Sequence, residues 1–163
     1  MNNLSFHITD IMTNSIRAKA SEIGLFIEER DLRITIRIAD NGLGMDAGTI
    51  ARVTNPFYTT RTTRKVGLGI PFLIQNAEQT GGAVSITSQP GKGTVVTASF
   101  CSNHIDCPPW GDLPGTVAML ITGNPDINIC FEYQAVKTVF SISTSEIKEI
   151  LDGIPLSYPK VML

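Results

Sequence analysis

The chain has 163 residues, 42 % of them apolar and 17 % charged, with a net charge of −2. That composition supports a real core and one domain with at most an appendage, and the lack of a basic block argues against nucleic acid as a partner. No apolar run reaches the ~20 residues that span a bilayer, no secretory signal is visible at the N-terminus, and three cysteines do not make a disulfide framework, so a cytoplasmic protein with free thiols is expected.

In chain order, residues 4–20 fit a helix, with Leu4, Ile8, Ile11, Met12, Ser15 and Ile16 on one face. A polar stripe of His7, Asp10, Asn14 and Arg17 lies on another face. EIGLFIE and LRITIRIAD alternate as two strands joined by a hairpin, and Asp40 ends the second one. DNGLGM follows, then a short helix over 46–53 with Asp46 as its N-cap. NPFYTTRTTRK reads as a polar loop, and GLGIPFLIQNAEQTGG as a helix closed by Gly81 or Gly82. AVSITS and TVVTASF are strands around the turn QPGKG. A Pro- and Gly-rich stretch at 101–115 reads as a linker. Beyond it TVAMLIT, INICFEY and TVFSIS read as three short strands and SEIKEIL as a helix. The divisions expected are 1–100, 101–115 and 116–163.

Three separated features point to one chemistry. Asp10 and Asn14 stand one turn apart, where an amide oxygen suits Mg²⁺ and a carboxylate can accept a proton from water or a hydroxyl. In DNGLGM, Asp40 can accept a hydrogen bond from the amino group of a flat heterocycle, beside a loop whose Gly42 and Gly44 carry no Cβ. In VGLGIPF, Gly67 and Gly69 precede a helix whose N-terminus can face an anion. The stretch before it supplies hydroxyls such as Thr60 and the cations Arg61, Arg64 and Lys65. Neither the G-x-G-x-x-G nor the G-x-x-x-x-G-K-[ST] spacing is present. Cys101, His104 and Cys107 have a spacing that matches no common zinc pattern, so free thiols are expected there.

Taken together, these strings resemble the GHKL superfamily of gyrase, heat-shock chaperone, histidine kinase and MutL ATP-binding domains. HITDIMTNSIRAKA resembles its N-box, DNGLGM and VGLGIPF its two glycine boxes, NPFYTT the segment before a kinase lid, and GKGTVVTASF the closing hairpin. The resemblance covers about residues 4–100 in the family's order. It implies an α+β fold: a two-layer α/β sandwich of Bergerat type, its sheet mixed but mostly antiparallel, with a small C-terminal strand–strand–helix appendage.

It further implies ATP and Mg²⁺ as ligands, with Asn14 on the metal and Asp40 on the adenine amino group. Gly42 and Gly44 would shape the loop against the nucleotide, and Thr94 would support the adenine through water. Gly67, Leu68 and Gly69, with Thr60, Arg61 and Lys65, would meet the phosphates, and Asp10 stands where ATP-hydrolysing relatives carry a Glu base. No segment reads as a hairpin bearing a phospho-acceptor His, and neither His7 nor His104 has the context of one. The function implied is therefore a histidine-kinase-like domain that phosphorylates a separate protein in signal transduction. The alternatives are a slow ATP-hydrolysing switch of MutL or gyrase type and a nucleotide-sensing module that recognises a regulatory partner.

Overall fold

The computed structural model describes residues 3–57 and 69–162. Helix α1 runs over Leu4–Arg17. Asn3 begins it by accepting the Phe6 N–H at 2.7 Å, which satisfies an amide that no helical carbonyl can reach. The helix stops before the expected residue 20 because Lys19 turns left-handed, with φ of +60°. Its face of Leu4, Ile8, Ile11 and Met12 is buried against the sheet.

Strands β1 (Glu22–Arg30) and β2 (Arg33–Asp40) form the expected antiparallel hairpin. Asp31 and Leu32 between them both have positive φ, 51° and 58°, the two-residue turn whose twist matches that of the strands. Leu25 stands opposite Ile38 and Ile27 opposite Ile36, all on the buried face. Asp40 pairs with Ile23 on that same face, so a carboxylate ends a row of isoleucines just beneath the helical layer.

Helix α2 (Ala47–Thr54) is capped by Asp46, which accepts the Thr49 N–H at 2.7 Å. Helix α3 (Gly69–Gln79) leads through the left-handed Gly81 into β3 (Val84–Gln89) and β4 (Gly93–Cys101). Beyond β4 come α4 (Leu113–Gly123), β5 (Asn128–Ala135), β6 (Thr138–Ser143) and α5 (Thr144–Leu151).

The sheet order is β3-β4-β2-β1-β5-β6. Every pairing is antiparallel except β1 with β5, which is parallel. This is the expected two-layer α+β sandwich with a mixed, mostly antiparallel sheet, and β5, β6 and α5 are its strand–strand–helix appendage. One core holds α1, α3 and α4 against the sheet.

One expectation is corrected: residues 116–122, read as a strand, lie within α4. Val117, Leu120 and Ile121 are its buried residues, a three-and-four spacing typical of a helix, and Asp112 caps it by accepting the Gly115 N–H at 3.0 Å. The run TVAMLIT is apolar all along, so periodicity alone does not separate helix from buried strand. The stretch at 101–115 includes the end of β4 and the start of α4, and between them it touches α1. The Leu4 N–H donates to the Pro109 carbonyl at 2.8 Å and the Ser5 N–H to that of Trp110 at 3.0 Å. Among the described residues, no helix is long and apolar enough to cross a membrane.

Candidate active site

A cleft of about 290 Å³ opens between α1, the end of β2, the glycine corner, α2, β4 and the start of α3. It is lined by Asp10 and Asn14 from α1, Asp40 from β2, Gly44 from the corner, Gly69 from α3 and Thr94 from β4. Residues 75 or more apart in sequence, such as Thr94 and Asp10, thus meet at one place.

Asp40 is the most firmly held polar group in the cleft. Its Oδ2 accepts the Ser15 hydroxyl at 2.6 Å, and its Oδ1 accepts the Gly42 N–H at 2.9 Å. Each carboxylate oxygen has a second lone pair, so both bonds leave acceptor capacity toward the cleft. Ser15 is 3 % exposed and sits on the buried face of α1. Its bond to Asp40 fixes the rotation of α1 against the end of β2.

The glycines of DNGLGM are needed first by the protein itself. A Cβ on Gly42 would come within 2.7 Å of the Ala18 carbonyl oxygen, and one on Gly44, at φ of +71°, within 1.9 Å of that of Gln89. The corner closes on these contacts: the Leu43 N–H donates to the Ala18 carbonyl at 2.9 Å and the Gly91 N–H to that of Leu43 at 2.6 Å. Asn41 ties the other side, its Oδ1 accepting the amides of Ser21 and Glu22 at 2.9 and 3.0 Å. Gly44 lines the cleft; Gly42 supports it through the amide it gives Asp40.

Thr94 stands directly opposite Asp40 across the β2–β4 ladder. Its hydroxyl lies 2.8 Å from that of Ser88, which also accepts the Met45 N–H at 2.7 Å and donates to the Gly93 carbonyl at 2.9 Å. Since Ser88 directs its one proton to Gly93, Thr94 donates to Ser88 and keeps its lone pairs for the cleft.

At the other end of the cleft, Asn14 is exposed and its side chain makes no hydrogen bond among the described residues. Asp10, one turn earlier, packs against the first residue of α3, where a Cβ on Gly69 would lie 3.2 Å from its Oδ2. Burial pushes the Asp10 carboxyl above the usual aspartate range, and the positive charge of Arg17, which also lines the cleft, opposes that shift. Thr60, Arg61, Lys65, Gly67 and Leu68, expected at the phosphates, lie outside the described residues.

Both histidines stand elsewhere. His7 is 2 % exposed between α1 and α3, with Nε2 2.7 Å from the Asn76 amide nitrogen, and burial holds its ring below the ordinary histidine range. His104 Nδ1 accepts the Asp106 N–H at 3.0 Å in the stretch after β4. Cys101, Cys107 and Cys130 are free, and no cluster of three metal-ligating side chains occurs among the described residues.

Comparison with known proteins gives the family. The family described as "Histidine kinase-, DNA gyrase B-, and HSP90-like ATPase" matches residues 3–103. The chain belongs to this family. It is 30 % identical over 106 residues to the sensor histidine kinase YxdK of Bacillus subtilis, a match that covers 60 % of this chain and 32 % of that protein. To the sensor protein kinase FleS of Pseudomonas aeruginosa it is 35 % identical over 93 residues, 55 % of this chain and 23 % of the relative. The chain thus spans a third or less of these curated relatives. The crystal structure of the N terminal domain of a DNA repair protein aligns with 88 % of the chain and 52 % of its own length, at TM-score 0.60 and 17 % identity, a likeness of fold.

Of the residues the sequence points to, Asp10, Asn14, Asp40, Gly44, Gly69 and Thr94 line this cleft, Gly42 does not line it, and Thr60, Arg61, Lys65, Gly67 and Leu68 lie outside the described residues. The sequence misses Ser15, Ser88 and Arg17 as members of the site. For Ser15 a signal was available: a hydroxyl on the apolar face of a helix has to find a partner when that face is buried.

Proposed function

We propose that this chain binds Mg-ATP as the catalytic domain of a histidine-kinase-type phosphotransferase and passes the γ-phosphoryl group to a partner protein in signal transduction. One observation carries the proposal: Asp40, braced by Ser15 and Gly42, shares a cleft with the unpaired amide of Asn14, in a chain related to sensor kinases.

In this proposal the free lone pairs of Asp40 accept the adenine amino group, and Thr94 completes the corner, through a water where the gap requires one. The far end of the cleft fits Mg²⁺, since the amide oxygen of Asn14 is a hard oxygen ligand and leaves the other positions for phosphate oxygens and water. When bound, the ion neutralises charge on the transferring phosphoryl group. Asn14 orients the polyphosphate, and Arg17 adds a positive charge at the cleft rim. Gly69 presents the N-terminal turn of α3, and the hydroxyl and cationic groups of Thr60, Arg61 and Lys65, with Gly67 and Leu68, would meet the phosphates.

Asp10, its proton affinity raised by burial, accepts a proton from an attacking hydroxyl of the partner. The acceptor in this proposal belongs to a partner protein; His7 is enclosed between two helices and His104 does not line the cleft.

Titration of the purified chain with ATP, with and without Mg²⁺, tests this. Asp40→Ala should weaken binding in both conditions, whereas Asn14→Ala should remove only the gain that Mg²⁺ brings. Unchanged ATP affinity in both variants would sink the proposal. Phosphate release from radiolabelled ATP by the chain alone, lost in Asp10→Asn, would instead favour the hydrolysing switch.

A further inference from the structure

We propose that Trp110 is a positioning residue for the nucleotide cleft, acting through α1 from the end of the fold opposite the cleft; this rests on the ATP-binding assignment above. Trp110 lies beyond residue 103, where the family match ends.

Helix α1 carries both Asp10 and Asn14, and it is pinned at two ends. Near the cleft the pins are the Ser15 hydroxyl on Asp40, at 2.6 Å, and the Ala18 carbonyl under the Leu43 N–H, at 2.9 Å. At the far end the pin is the segment after β4. The Trp110 carbonyl accepts both the Ser5 N–H at 3.0 Å and the Ser5 hydroxyl at 2.5 Å, and the Pro109 carbonyl accepts the Leu4 N–H at 2.8 Å. The next residue, Gly111, at φ of +71°, lies so close to Asn3 that a Cβ there would be 2.7 Å from its side chain.

Trp110 is in turn fixed to the sheet. Its indole N–H donates to Glu29 Oε1 at 2.8 Å, and the Tyr133 hydroxyl donates to the other oxygen of the same carboxylate. That bond is the main reason the Tyr133 hydroxyl is pushed up to about 12. One carboxylate on β1 thus joins β5, the segment after β4 and, through Trp110, the first turn of α1.

The two pins are far apart. Glu29 pairs with Ile34 and Ile23 with Asp40, so the pins are six residues apart along β1, roughly 20 Å. Ser5 and Ser15 are separated by roughly 15 Å of helix. Between the pins, α1 meets the sheet through apolar side chains, whose attraction is non-directional and does not by itself select one axial position, and the buried His7–Asn76 contact at 2.7 Å ties it to α3 instead of the sheet. The polar pins supply that selection.

Asp40 is in the sheet and Asp10 and Asn14 are on the helix, so releasing the far pin lets α1 pivot about the Ser15–Asp40 bond and turns Asn14 relative to Asp40. Mg²⁺ demands near-ideal ligand geometry and is the ligand most sensitive to such a shift.

The test measures ATP affinity with and without Mg²⁺ for the wild type, Trp110→Phe, Glu29→Ala and Glu29→Gln. Trp110→Phe keeps an aromatic ring and removes the N–H. Glu29→Gln keeps an oxygen to accept it. Trp110→Phe and Glu29→Ala are expected to raise the Mg-ATP Kd by roughly threefold to tenfold. Mg-free affinity should stay within about twofold, the size of a minor perturbation, and Glu29→Gln should stay near wild type.

An unchanged Mg-ATP Kd in Trp110→Phe overturns the proposal. So does an equal loss with and without Mg²⁺, which would mark a merely structural role. Tyr133→Phe, which frees one Glu29 oxygen and leaves Trp110 in place, is the milder variant if the others do not fold, with a smaller loss confined to Mg-ATP expected. A wild type that binds no ATP would refute the assignment of the cleft itself, an outcome distinct from both.

Discussion

Asp40→Asn separates recognition of the adenine amino group from simple support of the fold. In the wild type, Oδ1 holds the Gly42 N–H at 2.9 Å and Oδ2 the Ser15 hydroxyl at 2.6 Å. The Gly42 amide belongs to the backbone and cannot turn away, so the asparagine must keep its oxygen there. Its NH₂ then faces Ser15, whose hydroxyl can accept one hydrogen and direct its own proton to the Ile11 carbonyl, 3.4 Å away. The corner therefore survives with the loss of charge assistance in one bond, about 1 kcal/mol, which lowers Tm by about 2–4 °C in a domain of this size.

The second NH₂ hydrogen then points toward the cleft, where a lone pair had been. An adenine amino group meets a donor there. The exocyclic 6-carbonyl oxygen of inosine triphosphate meets a partner. A hydrogen bond to a charged acceptor contributes about 1.5–3 kcal/mol, so the preference for ATP over inosine triphosphate should fall by about tenfold to a hundredfold. Calorimetric titration with the two nucleotides measures it, with a thermal melt as the control for folding. A preference within twofold of wild type would show that Asp40 does not read the amino group, whatever happens to Tm.

Other outcomes follow from single residues. Burial raises the Asp10 carboxyl, so its ionised form opposes folding increasingly as pH rises through that raised value; Asp10→Asn should melt above wild type at neutral pH while losing any phosphate release. His7 behaves in the opposite sense: its lowered folded value favours the neutral ring, so its contribution is full above the ordinary histidine value of 6.5 and is lost as pH falls below it. His7→Gln, which cannot titrate, should lose less Tm than wild type between about pH 7.5 and about pH 5 in matched melts. Gly93→Ala forces a Cβ to 1.9 Å from the Asp40 carbonyl oxygen at φ of +92°, so it should cost more than about 2 kcal/mol in denaturant unfolding.

The parts of the fold that could be read in the sequence are those set by local rules. Alternation marks β1 and β2, the Asp46 cap marks α2, and the spacing of Asp10 and Asn14 places them together on α1. The contents of the cleft were legible because each motif ends an element that the topology carries to the same edge. What escaped depends on partners distant in the chain. Ser88 is an ordinary strand residue until β3 and β4 bring it to Met45, and Trp110 is a residue in a loop until Glu29 meets it across the sheet. TVAMLIT looked like a strand because an apolar run carries no face, and the helical one appears only when Val117, Leu120 and Ile121 find the core.

The glycines of DNGLGM show how one motif can carry two demands. Glycine beside a ligand-binding aspartate suggests backbone giving way to a nucleotide. Here the places a Cβ would occupy at Gly42 and Gly44 are taken by the carbonyls of Ala18 and Gln89. Those contacts join the end of α1, the end of β2 and the β3–β4 turn. The junction sets where the Asp40 carboxylate points, because the Gly42 amide that braces it comes from the same turn of chain. A larger residue at Gly42 would thus disturb α1, and with it Asn14, before it met any ligand. In the function proposed here, the glycines would act on the nucleotide through the shape of the corner, and Asp40 would be the group that meets it.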